Sequence, residues 1–255
     1  MSAPRVIRFA AAAVALAAAA AAAVLPLYTS VPFATAVAAL TVCALAAFFL
    51  FGENAPFDET RIVTVAVMTA AAVAGRAAFA FIPSFKPIAA VVVLCGAYLG
   101  CGSGFLCGAL SMLLSNFLFG QGPWTTFQML GMGLVGFVAG ALRPVRNIPV
   151  LAVWGAVGSY LYGAITDIWT LFSLGGAATW PAYLAVAAAG LPSSTVLAVS
   201  TVLFVVVLGA PFARKFERLR RRYGLGAGKR PLPPSDPPGM SGSRDAFKDG
   251  QQRGR

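Results

Sequence analysis

Seven side chains carry most of the chemistry this sequence can offer: Arg76, Lys86, Asn116, Gln121, Trp124, Gln128 and Asp167. Each interrupts apolar surroundings, where a polar group must find a hydrogen-bond partner, a counter-charge or water. The stretch Phe119-Gly-Gln-Gly-Pro-Trp-Thr-Thr126 is the most specific local signal. Its glycines let the backbone turn tightly and approach a bound molecule, Pro123 stiffens the turn, and Trp124 offers a flat apolar face with one donor. Asn116, three residues inside an apolar helix, needs a partner of its own. Interfacial anchoring explains Trp180 by itself, whereas the compound group Asn116–Gln121–Trp124–Gln128 reads as a binding site. Catalysis is not indicated. The chain has no histidine, and no nucleophile–base or metal constellation is visible. Cys43, Cys95, Cys101 and Cys107 all lie in apolar runs and read as packing residues. We therefore expect no enzyme, no metal and no cofactor.

The elements that position these residues follow from composition. Of 255 residues 59% are hydrophobic and 11% are charged, against roughly 25% charged in soluble domains. Such a chain cannot hide its apolar surface from water, so its solvent is lipid. The net charge of +11 does not indicate nucleic acid, because residues 214–255 hold twelve basic and four acidic side chains. That cluster fits positive-inside anchoring against anionic lipid heads.

Charge-free runs mark the membrane spans, each needing about 20 apolar residues. The 44 uncharged residues between Arg8 and Glu53 hold two, roughly 9–25 and 32–51. The first, flanked by arginines, is either a retained anchor or a cleaved signal, and retention is favoured because a second span follows closely. A third span covers about 61–80. The 56 uncharged residues from Pro87 to Leu142 divide at the Gly100–Gly104 and Phe119–Trp124 punctuation into spans at about 86–101, 103–119 and 126–142. Another covers about 147–166 and stops at Asp167. The segment 168–191 is too interrupted by glycine and proline to read as a span, and the last runs from Pro192 to about 213. The expectation is an all-α integral membrane protein: two N-terminal transmembrane helices (1–52), a six-helix core (53–213), and a basic, Pro-rich disordered tail (214–255).

Orientation tests the count. With the N-terminus inside, Arg5 and Arg8, Arg143 and Arg146, and the Arg214–Arg230 cluster all fall on the cytoplasmic side. Fusing 86–119 into one helix would break that agreement. Arg76, about 22 Å along its helix from Arg61, then lies in the outer third of the membrane, with Lys86, Gln121, Trp124, Gln128, Asp167, Trp169 and Trp180 on the outer side. A buried arginine faces a partner or a water-filled cavity. Two compatible readings follow: an Arg76–Asp167 ion pair clamping two helices, or an outward pocket for a ligand with an anionic or carbonyl group.

Small residues recur every fourth position at Ala66, Ala70 and Ala74, and at Gly96, Gly100, Gly104 and Gly108. Such faces let helices approach closely, although the glycine series crosses the proposed turn and so is not one continuous face. An energy source is missing. Gly226-Ala-Gly-Lys-Arg230 lacks the first glycine and the hydroxyl of a phosphate loop, and Asp167 stands alone rather than in a proton relay.

The residues from Arg76 to Leu142 include Arg76-Ala-Ala-Phe-Ala-Phe-Ile-Pro-Ser-Phe-Lys-Pro, Gly104-Phe-Leu-Cys-Gly, Ser115-Asn-Phe-Leu-Phe-Gly-Gln-Gly-Pro-Trp-Thr and Gln128-Met. This stretch resembles the substrate-specific S-components of energy-coupling factor vitamin importers, and is most similar to their cobalamin-carrier branch. The resemblance implies a six-helix protein over about 61–213 in a bacterial plasma membrane, with both termini cytoplasmic. Such a protein captures a vitamin or precursor, a corrinoid among the candidates, and delivers it with a transmembrane T-component and two ABC ATPases. The family's Ala-xxx-Ala contact with the T-component falls on Ala66, Ala70 and Ala74. The spans before residue 52 and the basic tail depart from the six-helix pattern. Two other classes remain: a self-sufficient channel or facilitator, and a non-transport membrane scaffold.

Overall fold

A computed structural model of the chain describes residues 59–143, 147–175 and 179–223, with side chains through Arg218. The expected N-terminal spans and the Pro-rich tail beyond Tyr223 lie outside the described residues. Among the described residues there are six helices: α1 Glu59–Ala78, α2 Ile88–Leu99, α3 Cys101–Phe119, α4 Trp124–Ala141, α5 Ile148–Ser173 and α6 Trp180–Tyr223. All but α2 are long and apolar enough to cross a membrane.

The division of 86–119 at glycine is a reversal of direction. Gly100 has φ +99°, a conformation that costs glycine little. Beyond it the chain doubles back, so that Cys95 Sγ meets the Ser103 carbonyl at 3.6 Å. The expected span at 86–101 is nevertheless too generous. Helix α2 has 12 residues, about 18 Å, and cannot cross about 30 Å of hydrocarbon. Pro87 and Gly100 bound it at either end. It is apolar on every side because it is the central element: every residue but Tyr98 is buried, and it touches each of the other five helices.

A glycine seam makes this packing possible. A Cβ on Gly96 or on Gly104 would overlap the Gly136 carbonyl oxygen, one on Gly108 the Met132 carbonyl, and one on Gly140 the Cys101 backbone. The Gly96–Gly108 series does cross the turn, as its spacing requires. Folding back at Gly100 brings its two halves together on opposite walls of one seam, closed by α4. Backbones here approach without intervening side chains, the favoured way to gain dispersion contact where lipid supplies no hydrophobic drive between helices.

Arginines fix α1 at both ends. Arg61, 7% exposed, donates from Nε to Ser103 Oγ at 2.7 Å and from Nη2 to the Leu99 carbonyl at 2.7 Å, tying α1 to the α2–α3 turn. Arg76 reaches the other end of α3, so α1 and α3 run parallel. Helices α5 and α6 run antiparallel: Tyr183 Oη donates to the Ala164 carbonyl at 3.0 Å, Gly163 lies against Ser194, and Ser159 and Thr201 pair at 3.2 Å.

Two further expectations are corrected. Asp167 does not end its helix: α5 continues to Ser173, which places the carboxylate within a long apolar helix. The last helix does not begin at Pro192. It starts at Trp180, carries Pro192 and Pro211 in its interior, and extends to Tyr223. Its packing on α5 overrides the breaking tendency of Pro192, as happens in membrane helices where neighbours satisfy the freed backbone groups. Its 44 residues extend about 66 Å, so its basic C-terminal end passes well beyond one hydrocarbon thickness.

The seam gives a direct test. Replacing Gly136 by Val should destabilise the bundle by about 3 kcal/mol, the upper range for overpacking, because backbone is what the new side chain meets. Cys95 and Cys107 are buried free thiols, so thermal unfolding can be followed by labelling with a thiol-reactive fluorophore. Gly102→Ala is the control, since nothing lies within 4 Å of its Cβ position. Equal midpoints for the two variants would contradict the seam.

Candidate functional site

At the end of the bundle where α1, α3 and α5 finish and α2, α4 and α6 begin lies a cavity of about 230 Å³. Four of the seven expected binding residues line it: Arg76, Lys86, Gln128 and Asp167. They arrive from α1, the 79–87 connection, α4 and α5, so only the tertiary fold brings them together.

Arg76 is anchored through one nitrogen. Its Nη1 donates to Asn116 Oδ1 at 2.9 Å, to Ser115 Oγ, and to Met112 Sδ at 3.7 Å. Asn116, 1% exposed, holds the next links: its Nδ2 donates to Thr125 Oγ1 at 2.9 Å and to Gln128 Oε1 at 2.7 Å. Thr125 donates in turn to Gln121 Oε1 at 3.0 Å, and Gln121 Nε2 donates to the Leu113 carbonyl at 2.9 Å. The Asn116 amide thus satisfies its buried polar atoms, and the α3–α4 turn becomes a scaffold that aims Arg76. Asn116 and Gln121 act behind the cavity rather than in it. Trp124 is also not among the lining residues; it packs on Trp169 at 6.1 Å between ring centroids.

The Arg76–Asp167 pair does not form: the hydrogen bonds of Arg76 go to α3. Neither residue has an ion-pair partner among the described residues, and neither does Lys86. The Asp167 carboxylate lies against the α6 backbone, where a Cβ on Gly190 would sit 2.9 Å from Oδ2. Arg76 and Lys86 both lie over the Phe119 ring, the guanidinium 4.9 Å and the ammonium 5.6 Å from its centroid. The π-electron density of one ring attracts both like charges.

The remaining lining includes Tyr162, Thr166, Ser193 and Ser194, which were not singled out in the sequence. A hydroxyl in an apolar helix ordinarily bonds its own preceding turn, as Thr166 does to the Tyr162 and Gly163 carbonyls at 3.1 and 2.9 Å. The one signal available was the cluster Ser193-Ser-Thr195 directly after a proline. Ala66, Ala70 and Ala74 lie elsewhere, exposed along α1 beside Val63 and Val67.

Burial, and after it the nearby Arg76 charge, hold the Lys86 ammonium below the usual lysine range. Both effects disfavour the charged form, so the neutral amine appears at lower pH than in the unfolded chain. Acylation of Lys86 by an amine-selective reagent, followed by peptide mass spectrometry, should show a pH profile displaced downward from that of the denatured protein. Arg76→Gln should return it part of the way. Coincident native and denatured profiles would contradict this electrostatic picture.

No curated protein and no solved structure gives a significant match to this chain. A family model does match, over residues 57–222, from just before α1 to the last turn of α6. The six-helix unit and its cavity lie within that match, and the chain belongs to this family, a family of unknown function designated DUF6580.

Proposed function

We propose that this multi-pass membrane protein is the solute-capturing subunit of an importer, of the S-component kind, holding a small charged molecule in the cavity at the end of its bundle. One observation carries the reading: Arg76, Lys86 and Asp167 line a single cavity without ion-pairing to one another. Ionisable groups at membrane depth are costly and are kept where they serve a ligand or a pathway.

Three features support it. Arg61, Arg143, Arg214, Lys215 and Arg218 stand at or beyond the opposite end of the bundle, so the positive-inside rule faces the cavity outward. The cavity volume lies below the roughly 300–1,000 Å³ of drug-sized sites, which favours a small vitamin-like molecule or precursor over a corrinoid. The exposed alanines of α1 form a smooth face on which a helix of a transmembrane T-component can pack closely, with a pair of ATPases supplying the energy.

Isolation of the tagged protein from native membranes in mild detergent, with mass spectrometry of proteins and small molecules, tests this reading. The expected result is a charged small molecule together with a polytopic partner and its ATPases. Arg76→Ala should lower affinity for the recovered molecule about tenfold to a hundredfold, the range for a hydrogen bond to a charged group, without loss of membrane insertion. Solute flux through liposomes containing only this chain would instead make it a facilitator.

A further inference from the structure

The charges in the cavity are not mixed but separated. Arg76 and Lys86 come from α1 and the connection after it, and both lie over the Phe119 ring. Asp167 comes from α5 and lies against the Gly190 backbone of α6. Helices α5 and α6 pack chiefly on each other, so the two kinds of charge stand on different walls. Arg76 spends only Nη1 on its scaffold, leaving Nε and Nη2 unengaged among the described residues. Lys86 Nζ makes no hydrogen bond among them and lies over the Phe119 ring.

We infer that the cavity recognises a zwitterion, its acid group (carboxylate or phosphate) received by Arg76 and Lys86 and its ammonium received by Asp167. This inference rests on the capture reading and names the ligand class for that same site. A purely anionic ligand would leave the half-buried Asp167 unpaired, and a purely cationic one would leave two adjacent, partly buried cations uncompensated; each arrangement leaves partly desolvated charge without a partner. A guanidinium offers planar, paired donors to an acid group, and Phe119 is the positioning residue that keeps the second cation beside it.

The class is testable before the natural ligand is known. Thermal unfolding of the full chain in detergent, read by thiol labelling, is measured with 4-aminobutanoate, 2-aminoethyl phosphate, butanoate and butylammonium. The two zwitterions should raise the midpoint and the singly charged analogues should not. Asp167→Asn should abolish the preference, so that butanoate performs as well as 4-aminobutanoate. Phe119→Leu should weaken zwitterion binding roughly tenfold. Phosphoethanolamine also occurs as a lipid headgroup: stabilisation by phosphatidylethanolamine alone, and by neither free zwitterion, would assign the same chemistry to a membrane lipid.

Equal stabilisation by butanoate and 4-aminobutanoate in the wild type, an unchanged preference in Asp167→Asn, or no response to any probe or to phosphatidylethanolamine would overturn the assignment. Should that happen while an importer partner co-purifies with the protein, the capture role stands and only the ligand class falls.

Discussion

The structure depends on backbone meeting backbone at Gly96, Gly104 and Gly136. In lipid, helices gain no hydrophobic advantage from contact with each other, so dispersion and shape must hold them. Removing side chains from the seam lets α2, α3 and α4 close to a separation that no alanine would allow. The arginine contacts are built around that block. Arg61 and Arg76 fasten α1 to the two ends of α3, and the α5–α6 hairpin completes the enclosure of α2.

Fixing α3 against α4 also fixes the relay that aims Arg76. Asn116 is on α3, while Thr125 and Gln128 are on α4, so the amide bonds hold only if the two helices keep their register. The glycine contacts supply that register a few turns away. The coupling of packing to the site is thus mechanical: a shift along the seam would pull Asn116 from its partners and release the guanidinium. Gln121 stiffens the same joint by bridging the turn to the Leu113 carbonyl.

Much of this was legible in the sequence because lipid makes polarity conspicuous. Arg76, Asn116 and Gln128 stand out against apolar neighbours, and the turn at Phe119–Trp124 shows in its glycines and proline. The reversal at Gly100 followed from requiring all basic loops to share one side. Other features were hidden for identifiable reasons. Hydroxyls such as Thr166 and Ser194 are unremarkable in a membrane helix, since a local carbonyl can satisfy them, and only tertiary placement gives them a cavity to face. Proline in a membrane helix loses its authority as a terminator when a neighbour packs against it, so the residues around Pro192 do not reveal that α6 starts at Trp180. The position of Asp167 inside α5 is hidden for a related reason: a charge ends an apolar run in the sequence without ending the helix. The ion pair with Arg76 looked natural in one dimension, yet Ser115 and Asn116 claim the guanidinium first.

Helix α2 matters beyond its role in packing. It is far shorter than its neighbours, and the bundle is therefore a well with a floor: Ile88, its first residue, forms part of the cavity lining. Beneath that floor stand eleven more residues, none of them charged and all but Tyr98 buried. Over about 18 Å this plug offers a solute no charged partner. The way downward along α2 is apolar, and a charged solute would have to give up its water to take it.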